Sequence, residues 1–140
     1  MGNRAQLNYL AAVEIKTTNG ITVSVETQFV PEHSDPKGRK FIFAYHISIE
    51  NGSDHTVQLL RRHWYIYDSA GIIREVEGEG VVGQQPILKP GEVHRYNSFC
   101  DLETDMGKMK GTFMMTRHDD GSYFDVIVPE FKMFLPEKMN

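Results

Sequence analysis

Apolar and polar residues alternate with a period of two in several parts of the chain. Two stretches show this most clearly, with apolar series at Ile21, Val23, Val25 and Phe29, and at Phe41, Phe43, Tyr45, Ile47 and Ile49. Successive side chains of a strand point to opposite faces of a sheet, so each series predicts a half-buried strand. The Asn51-Gly52 pair, suited to positive φ, ends the second stretch.

Similar patterns predict strands over residues 56–68, 72–76, 92–102, 110–118 and 123–135. The apolar phase of the last one switches across Pro129, which predicts a β-bulge there because proline cannot donate to a ladder. Nowhere do apolar residues follow helical spacing over three turns, and turn signals come every ten to fifteen residues. The pattern predicts an all-β, antiparallel sandwich or barrel of about seven or eight strands, with no helix longer than two turns.

The domain organisation follows from the chain length and from the same pattern of residues. A length of 140 residues fits one domain. Residues 1–12 have no clear period and are predicted to be a flexible N-terminal tail, and residues 13–136 are predicted to form the domain. The proline-containing segment from Pro31 to Arg39 is predicted to be a mobile loop.

Charge and composition exclude several classes of function. The net charge of −4 provides no basic field for nucleic acid. No run approaches the roughly 18 apolar residues of a membrane span, and no secretory signal is visible, so a cytoplasmic location is expected. Cys100 is the single cysteine, which excludes an internal disulfide and is typical of a small buried hydrophobe.

Several ordered motifs resemble the bacterial ApaG family over about residues 13–136. They include Phe43-Ala44-Tyr45, the run from Gln58 to Ile66 with Arg62-His63-Trp64, the run from Val76 to Pro86, Leu88-Lys89-Pro90-Gly91, Gly107 to Gly111, and Pro129-Glu130-Phe131. The chain departs from the family pattern at Arg61, where a small hydroxyl residue is usual, and at Phe99, where glycine is usual and a local turn is in question.

The resemblance implies an immunoglobulin-like or fibronectin type III-like sandwich. It also implies an association with cobalt and magnesium resistance, and it brings no catalytic residues with it. A segment similar to the tyrosine corner of related sandwiches contains Leu88, Pro90, Gly91 and Tyr96. Tyr96 is therefore predicted to be a structural brace whose hydroxyl forms a hydrogen bond with the backbone.

A glycine-rich segment has the G-x-G-x-x-G spacing that cradles pyrophosphate in dinucleotide sites. Its residues are Gly78, Glu79, Gly80, Val81, Val82 and Gly83, and Gln85 follows. In those sites a long helix follows the motif, whereas here Pro86 follows and acidic residues lie where phosphate would sit. The favoured interpretation is a structural loop in which at least one glycine has positive φ, and binding of a phosphorylated ligand with Arg62 nearby is the alternative.

The run Arg62-His63-Trp64 invites an enzymatic interpretation with His63 as a proton shuttle. Adjacent residues of a strand point to opposite faces, however, so Arg62 and His63 should not converge. Trp64 is predicted to be a buried core residue, and no nucleophile is paired with His63 by spacing, so no catalytic residues and no cofactor are predicted. The run also suits a recognition surface.

No metal site is predicted from sequence spacing. None of the six histidines forms an i, i+2 pair with another. His118-Asp119-Asp120-Gly121 contains three potential ligands, but it is typical of a hairpin turn.

The sequence therefore favours a non-enzymatic binding module that contacts a protein partner, or forms a homodimer, through loops and an edge strand. The alternatives are a binder of a phosphorylated ligand and a divalent-metal binder. The link to cobalt and magnesium would then be indirect.

Overall fold

The computed structural model describes residues 13–135, which form two antiparallel β-sheets packed face to face. The nine strands are β1 (Glu14–Thr18), β2 (Ile21–Phe29), β3 (Phe41–Asn51), β4 (Val57–Asp68), β5 (Ile73–Glu79), β6 (Ile87–Leu88), β7 (Val93–Leu102), β8 (Met106–Arg117) and β9 (Tyr123–Phe134). One sheet has the order β1-β2-β3-β7. The other has the order β5-β4-β8-β9, with β6 also paired to β4. The predicted all-β sandwich is confirmed.

The period-two pattern explains the core. The apolar series of β2 and β3 point between the sheets, and Ile21, Val23 and Ile49 are fully buried. Trp64, predicted to be a core residue, is 3% exposed. Its ring makes edge contacts with Tyr45 at 5.7 Å, Phe113 at 5.8 Å and Phe131 at 6.1 Å between centroids. Such geometry is favourable beyond the area that it buries.

Two local predictions are confirmed, the bulge at Pro129 by the strand register and the turn after Arg117 by its backbone conformation. Met109 pairs with Phe131 and Gly111 pairs with Val128, so the register shifts by one residue at Pro129, as the phase switch predicts. The segment after Arg117 is a tight turn in which Gly121 has a φ of 71° and its N–H donates to the Arg117 carbonyl. Cys100 is buried, as expected.

Other predictions need correction. Residues 13–135 contain nine strands, because β1 and the two-residue β6 add to the seven stretches predicted from the pattern. β1 is almost wholly exposed, so its sequence does not alternate. β8 begins at Met106 rather than at residue 110, and β5 extends through Gly78 and Glu79.

Three further expectations concern single segments. Phe99 lies inside β7 and not at a turn. The Tyr96 hydroxyl is buried without a hydrogen-bond partner in residues 13–135, so the tyrosine-corner brace is wrong. The segment from Pro31 to Arg39 contains two short 3₁₀ helices, Pro31–His33 and Pro36–Gly38. The predicted tail of residues 1–12 and the end of the domain at Pro136 lie outside the described residues. No helix in the described part of the chain is long and apolar enough to cross a membrane.

Candidate functional site on the open side of the sandwich

The sandwich is closed along one side and open along the other. On the closed side β1 and β2 pack against β9. Two hydrogen bonds join the sheets there, from Ile127 N–H to Thr18 Oγ1 and from Thr27 Oγ1 to the Lys132 carbonyl, each at 3.2 Å. On the other side β5 and β7 are edge strands without comparable packing between them. We call these two strands and the cleft of about 230 Å³ between them the open side.

Arg74 joins the two edge strands at one end of the cleft. Its Nη1 lies 3.2 Å from Asp101 Oδ1, and its Nη2 donates to the Asp101 carbonyl. Nη2 also lies 3.8 Å from Cys100 Sγ.

The cleft has an aromatic floor and an apolar mouth. Trp64 and Ile66 of β4 line it from one sheet, and Tyr45 and Ser98 line it from the other. At the mouth, Val76 of β5 is 38% exposed and Phe99 of β7 is 61% exposed. Ile73, also on β5, is 63% exposed, but it alternates with Arg74 and Val76 and lies on the other face of the strand. Large exposed apolar side chains therefore occur on both rims of one cleft.

Arg62 reaches into the cleft from β4. Its Nη1 donates to the carbonyls of Glu79 at 3.0 Å and Gly80 at 3.1 Å. A Cβ on Gly78 would lie 2.9 Å from Nη1, so the missing side chain at Gly78 makes room for the guanidinium. Arg62 thereby connects the glycine-rich segment to the cleft.

Burial sets the protonation of the cleft's other polar groups. It raises the pKa of Tyr45, whose hydroxyl interacts with Ser98. It also raises the pKa of the Cys100 thiol to about 12, against the weaker opposing effect of Arg74. The Cys100 side chain is therefore a neutral thiol at pH 7 rather than a nucleophilic thiolate.

His63 points to the outer face of the same sheet, opposite to Arg62. Its Nε2 lies 2.6 Å from Glu75 Oε2 and its Nδ1 lies 3.0 Å from Glu77 Oε1. The ring also stacks on Tyr65 at 4.6 Å between centroids. Both ring nitrogens thus face carboxylate oxygens. The three side chains also form a group that could hold a metal ion.

The glycine-rich segment forms the end of β5 and a tight turn. Val81 N–H donates to the Gln84 carbonyl at 2.8 Å and Gln84 N–H donates to the Val81 carbonyl at 3.0 Å. Val82 and Gly83 between them have φ values of 48° and 74°, as in a two-residue hairpin turn. Gly80 N–H donates to the Leu60 carbonyl at 2.8 Å, and Gln85 Nε2 donates to the same oxygen at 3.0 Å.

This arrangement engages three backbone N–H groups of the segment, those of Gly80, Val81 and Gln84, in bonds to protein carbonyls. A phosphate cradle needs several free N–H groups that converge on one point. The predicted positive φ is present at Gly80 and Gly83. The positive φ values thus explain the presence of glycine at these two positions.

The potential ligands of the turn after β8 face separate partners. His118 Nε2 lies 3.0 Å from Gln58 Oε1, and Asp119 Oδ2 lies 2.6 Å from His55 Nδ1. Asp120 Oδ1 accepts from the Ser122 N–H and hydroxyl. The three side chains therefore contact three different residues, Gln58, His55 and Ser122.

The structure thus separates the candidate residues into two faces of the β4–β5 hairpin. Arg62 and Gly78 lie on the cleft side, and His63 lies outside. Sequence spacing did not identify Glu75 and Glu77 as neighbours of His63, because they lie on the adjacent strand and contact it across the β4–β5 pair. The hairpin register around the Ser69–Gly71 turn, which pairs His63 with Glu77, could have revealed them. The cleft residues Tyr45 and Ser98 come from the other sheet, so no sequence spacing could place them beside Arg62.

Comparisons with known proteins agree with this architecture. The profile of the ApaG domain family matches residues 31–117. Protein ApaG of Anaeromyxobacter dehalogenans is 47% identical over 123 residues, which cover 88% of this chain and 96% of that protein. Protein ApaG of Beijerinckia indica is 46% identical over 119 residues, which cover 85% of this chain and 91% of that protein.

A solved structure shares the fold. The crystal structure of a protein named ApaA from Bordetella pertussis has a TM-score of 0.80 and 40% sequence identity, and the match covers 90% of this chain and 98% of that chain. The sequence profile, the relatives and the shared fold lead to one conclusion. The chain belongs to the ApaG family.

Proposed function

We propose that this chain is a non-enzymatic binding module whose open side contacts a protein partner or a second copy of the chain. One observation carries the proposal. Two edge strands, β5 and β7, run along the same side of the sandwich, joined through Arg74 but without the extensive packing of the closed side, and Val76 and Phe99 are exposed there.

Free strand edges present unpaired backbone donors and acceptors, which can pair with an added strand. Phe99 and Val76 stand beside these edges, and aromatic side chains are enriched in protein interfaces. A segment that pairs with β5 or β7 would therefore gain backbone hydrogen bonds and bury Phe99 in one step.

The chemistry of the cleft supports a binding role over catalysis. The Cys100 thiol is neutral at pH 7, and the contacts of His63 are to carboxylates rather than to a nucleophile. In this proposal, the link to cobalt and magnesium resistance implied by the family resemblance is indirect and passes through the partner.

Affinity capture from the source cell tests the proposal with two matched variants. Phe99→Lys places a charge on the open side. Ile15→Lys is the control, because Ile15 has the same 61% exposure and lies on β1, at the far edge of the same sheet. We expect proteins captured by the wild type to be retained by Ile15→Lys and lost with Phe99→Lys.

Sedimentation velocity over a range of concentrations extends the test to self-association. A dimer of the wild type that dissociates in Phe99→Lys but not in Ile15→Lys identifies a second copy as the partner. Equal capture and equal association by all three proteins would contradict the proposal.

A second candidate function is divalent-metal binding, and it rests on the group formed by His63, Glu75 and Glu77. A cation on Nε2 would have Glu75 as a second ligand, while Glu77 on Nδ1 would orient the ring. Because the protein supplies only two first ligands in this geometry, we expect weak binding.

Calorimetric titration with Co²⁺, Zn²⁺ and Mg²⁺ tests this candidate. His63→Ala should abolish any Co²⁺ or Zn²⁺ binding, and His118→Ala should leave it unchanged. Binding that persists in His63→Ala, or no heat with any of the three ions, would dismiss it.

A further inference from the structure

The sheet formed by β5, β4, β8 and β9 has an outer face that points away from the core. Residues opposite each other in the strand register point to the same side of a sheet, so the register groups the outward side chains into rows. From β5 towards β9 these rows are Ile73, Tyr67, Lys108 and Lys132; Glu75, Tyr65 and Lys110; Glu77, His63, Thr112 and Ile127; and Glu79, Arg61, Met114 and Asp125. We call these rows, with Glu130 in contact with Lys108, the outer face.

A diagonal of uncharged side chains divides the outer face into two halves of opposite charge. It runs across the rows from Ile73 on β5 through Tyr65 on β4 to Thr112 on β8. The acidic half, on one side of the diagonal, contains the charged or titratable residues Glu75, Glu77, Glu79, His63 and Arg61. The basic half, on the other side, contains Lys108, Lys110, Lys132 and Glu130. Three carboxylates therefore lie beside three ammonium groups on one surface.

The acidic half follows an edge strand. Glu75, Glu77 and Glu79 recur at every second position of β5 and are exposed. The carboxylates of Glu75 and Glu77 contact His63, yet their side chains remain 54% and 55% exposed. A carboxylate has two acceptor oxygens, and each of these contacts involves one of them. The acidic half can therefore accept further contacts from cations.

The basic half is built around Tyr67. Lys108 Nζ and Lys110 Nζ lie 5.3 Å and 5.6 Å from the centre of its ring, where a cation is attracted to the ring face. Lys110 lines one open depression of about 380 Å³ together with Lys16 of β1, and Lys108 lines a second of about 330 Å³ together with Lys132. Within residues 13–135, only Lys108 of these four lysines forms an ion pair, with Glu130 at 3.6 Å.

Exposed apolar side chains on the same face favour a protein surface as its occupant. Ile73, at one end of the diagonal, is 63% exposed, and Ile127, next to Thr112 in the register, is 44% exposed. Protein interfaces combine such apolar contacts with charges at the rim. A nucleic acid is disfavoured, because the carboxylates of the acidic half repel phosphates. The occupant that fits has a basic half to face β5 and an acidic half to face the lysines, and the outer face of a second copy has both.

A twofold axis along the diagonal brings each half of the outer face onto the opposite half of a second copy. Rotation about this axis exchanges the two sides of the diagonal, as an isologous interface requires. Glu75 and Glu77 of each copy then lie over the lysines of the other, while Ile73 and Tyr65 meet their own counterparts. Neighbouring strands lie about 4.8 Å apart and side chains on one face recur about every 6.7 Å, so the strands of the two copies cross at about 70°. This angle is close to the orthogonal packing of sheets.

We propose that the outer face is a twofold interface between two copies of this chain, in which the acidic half of each copy contacts the basic half of the other. The interface lies on a different surface from the open side, so the inference does not rest on the proposed function. The apolar contacts along the diagonal exclude water, and the charges fix the orientation of the two copies.

Sedimentation velocity over a wide range of concentrations tests the interface with two charge-reversal variants. The basic-half variant is Lys108→Glu with Lys110→Glu, and the acidic-half variant is Glu75→Lys with Glu77→Lys. We expect the wild type to dimerise and each variant alone to dimerise at least tenfold more weakly, because like charges then face each other. Lys37→Glu with Lys40→Glu is the control. It makes the same charge change as the basic-half variant at exposed positions between β2 and β3, in the other sheet, and should dimerise as the wild type does.

Mixing the two variants in equal amounts is the decisive step. Each variant alone places like charges opposite each other, whereas one copy of each restores opposite charges at both contacts of the interface. We expect the mixture to form a heterodimer with an affinity close to that of the wild-type dimer. Thermal melting checks that each variant is folded.

Salt dependence of the wild type provides a measurement that needs no variant. Raising the ionic strength from about 0.05 M to about 0.5 M should weaken the dimer at least tenfold, because salt screens exposed charges. A wild type that is monomeric at every concentration, a dimer that is indifferent to salt, equal dimerisation by the wild type and both reversal variants, or a mixture of folded variants that stays monomeric would overturn the inference. The dimer should persist in Phe99→Lys, which separates this interface from the open side.

Discussion

Replacing Gly80 or Gly83 by alanine tests the backbone account of the glycine-rich segment. Both glycines have positive φ, 65° and 74° respectively. They differ in the space around them. A Cβ on Gly80 would lie 2.3 Å from the Gln84 carbonyl oxygen and 2.9 Å from its carbon, whereas a Cβ on Gly83 would have no heavy atom within 4 Å.

The magnitudes follow from this difference. An alanine with positive φ costs about 1–2 kcal/mol, and part of this is offset because alanine restricts the unfolded chain. We therefore expect Gly83→Ala to lose about 1 kcal/mol of unfolding free energy. Gly80→Ala adds a backbone clash, and overpacking costs about 1–3 kcal/mol. We expect a total loss of about 2–4 kcal/mol for Gly80→Ala.

Urea unfolding followed by tryptophan fluorescence measures both losses, because Trp64 is the single tryptophan and is buried. Val82→Asn is a useful control with the opposite sign. Val82 is β-branched, 62% exposed and held at a φ of 48°, which asparagine tolerates better, so stability should rise by about 0.5–1 kcal/mol. Equal losses at Gly80 and Gly83, or a loss at Val82→Asn, would refute the reasoning.

Three further predictions concern the contribution of the core to stability, the loss of stability at acid pH and the reactivity of the Cys100 thiol. Trp64→Ala should lower the unfolding free energy by about 3–5 kcal/mol in the same urea assay, and a loss below about 1 kcal/mol would contradict its role in the core. Burial opposes ionisation of Asp68, but hydrogen bonds from Thr104, Glu103 and Ala70 outweigh it and lower the pKa of Asp68. Its stabilising contribution is present above the unfolded value near 3.8 and is lost as pH falls through the lower folded value. Urea midpoints between pH 5 and 2 should therefore fall less steeply in Asp68→Asn than in the wild type, and parallel slopes would disprove this. Cys100, with its pKa raised to about 12, should react with iodoacetamide at pH 7.5 far more slowly in the native protein than in urea, and comparable rates would show an accessible thiolate.

Much of the fold could be predicted because burial on one face imposes a visible period on a strand. Phe41, Phe43, Tyr45, Ile47 and Ile49 keep one apolar phase, and all five are buried in β3 as predicted. β1 could not be predicted in this way, because its exposed residues are not selected for one face. The bulge at Pro129 was visible because a one-residue slip changes the apolar phase.

The candidate site was harder to predict because it depends on pairing between strands that are distant in sequence. The opposite directions of Arg62 and His63 follow from strand geometry alone. The approach of Ser98 to Arg62 in one cleft requires knowledge of which strands form the edges of the two sheets. The missing brace at Tyr96 shows the same limit, because a sequence spacing does not specify what the hydroxyl meets.

The central claim is that the open side is where a protein partner binds, and site-specific photocrosslinking tests it most directly. The photoreactive residue p-benzoylphenylalanine replaces Phe99 in one variant and the equally exposed Ile15 in the other, and both are irradiated in the source cell. The account predicts a discrete crosslinked adduct, to another protein or to a second copy of the chain, from position 99 and none from position 15. An adduct from position 15 alone, or no adduct from position 99, would contradict it.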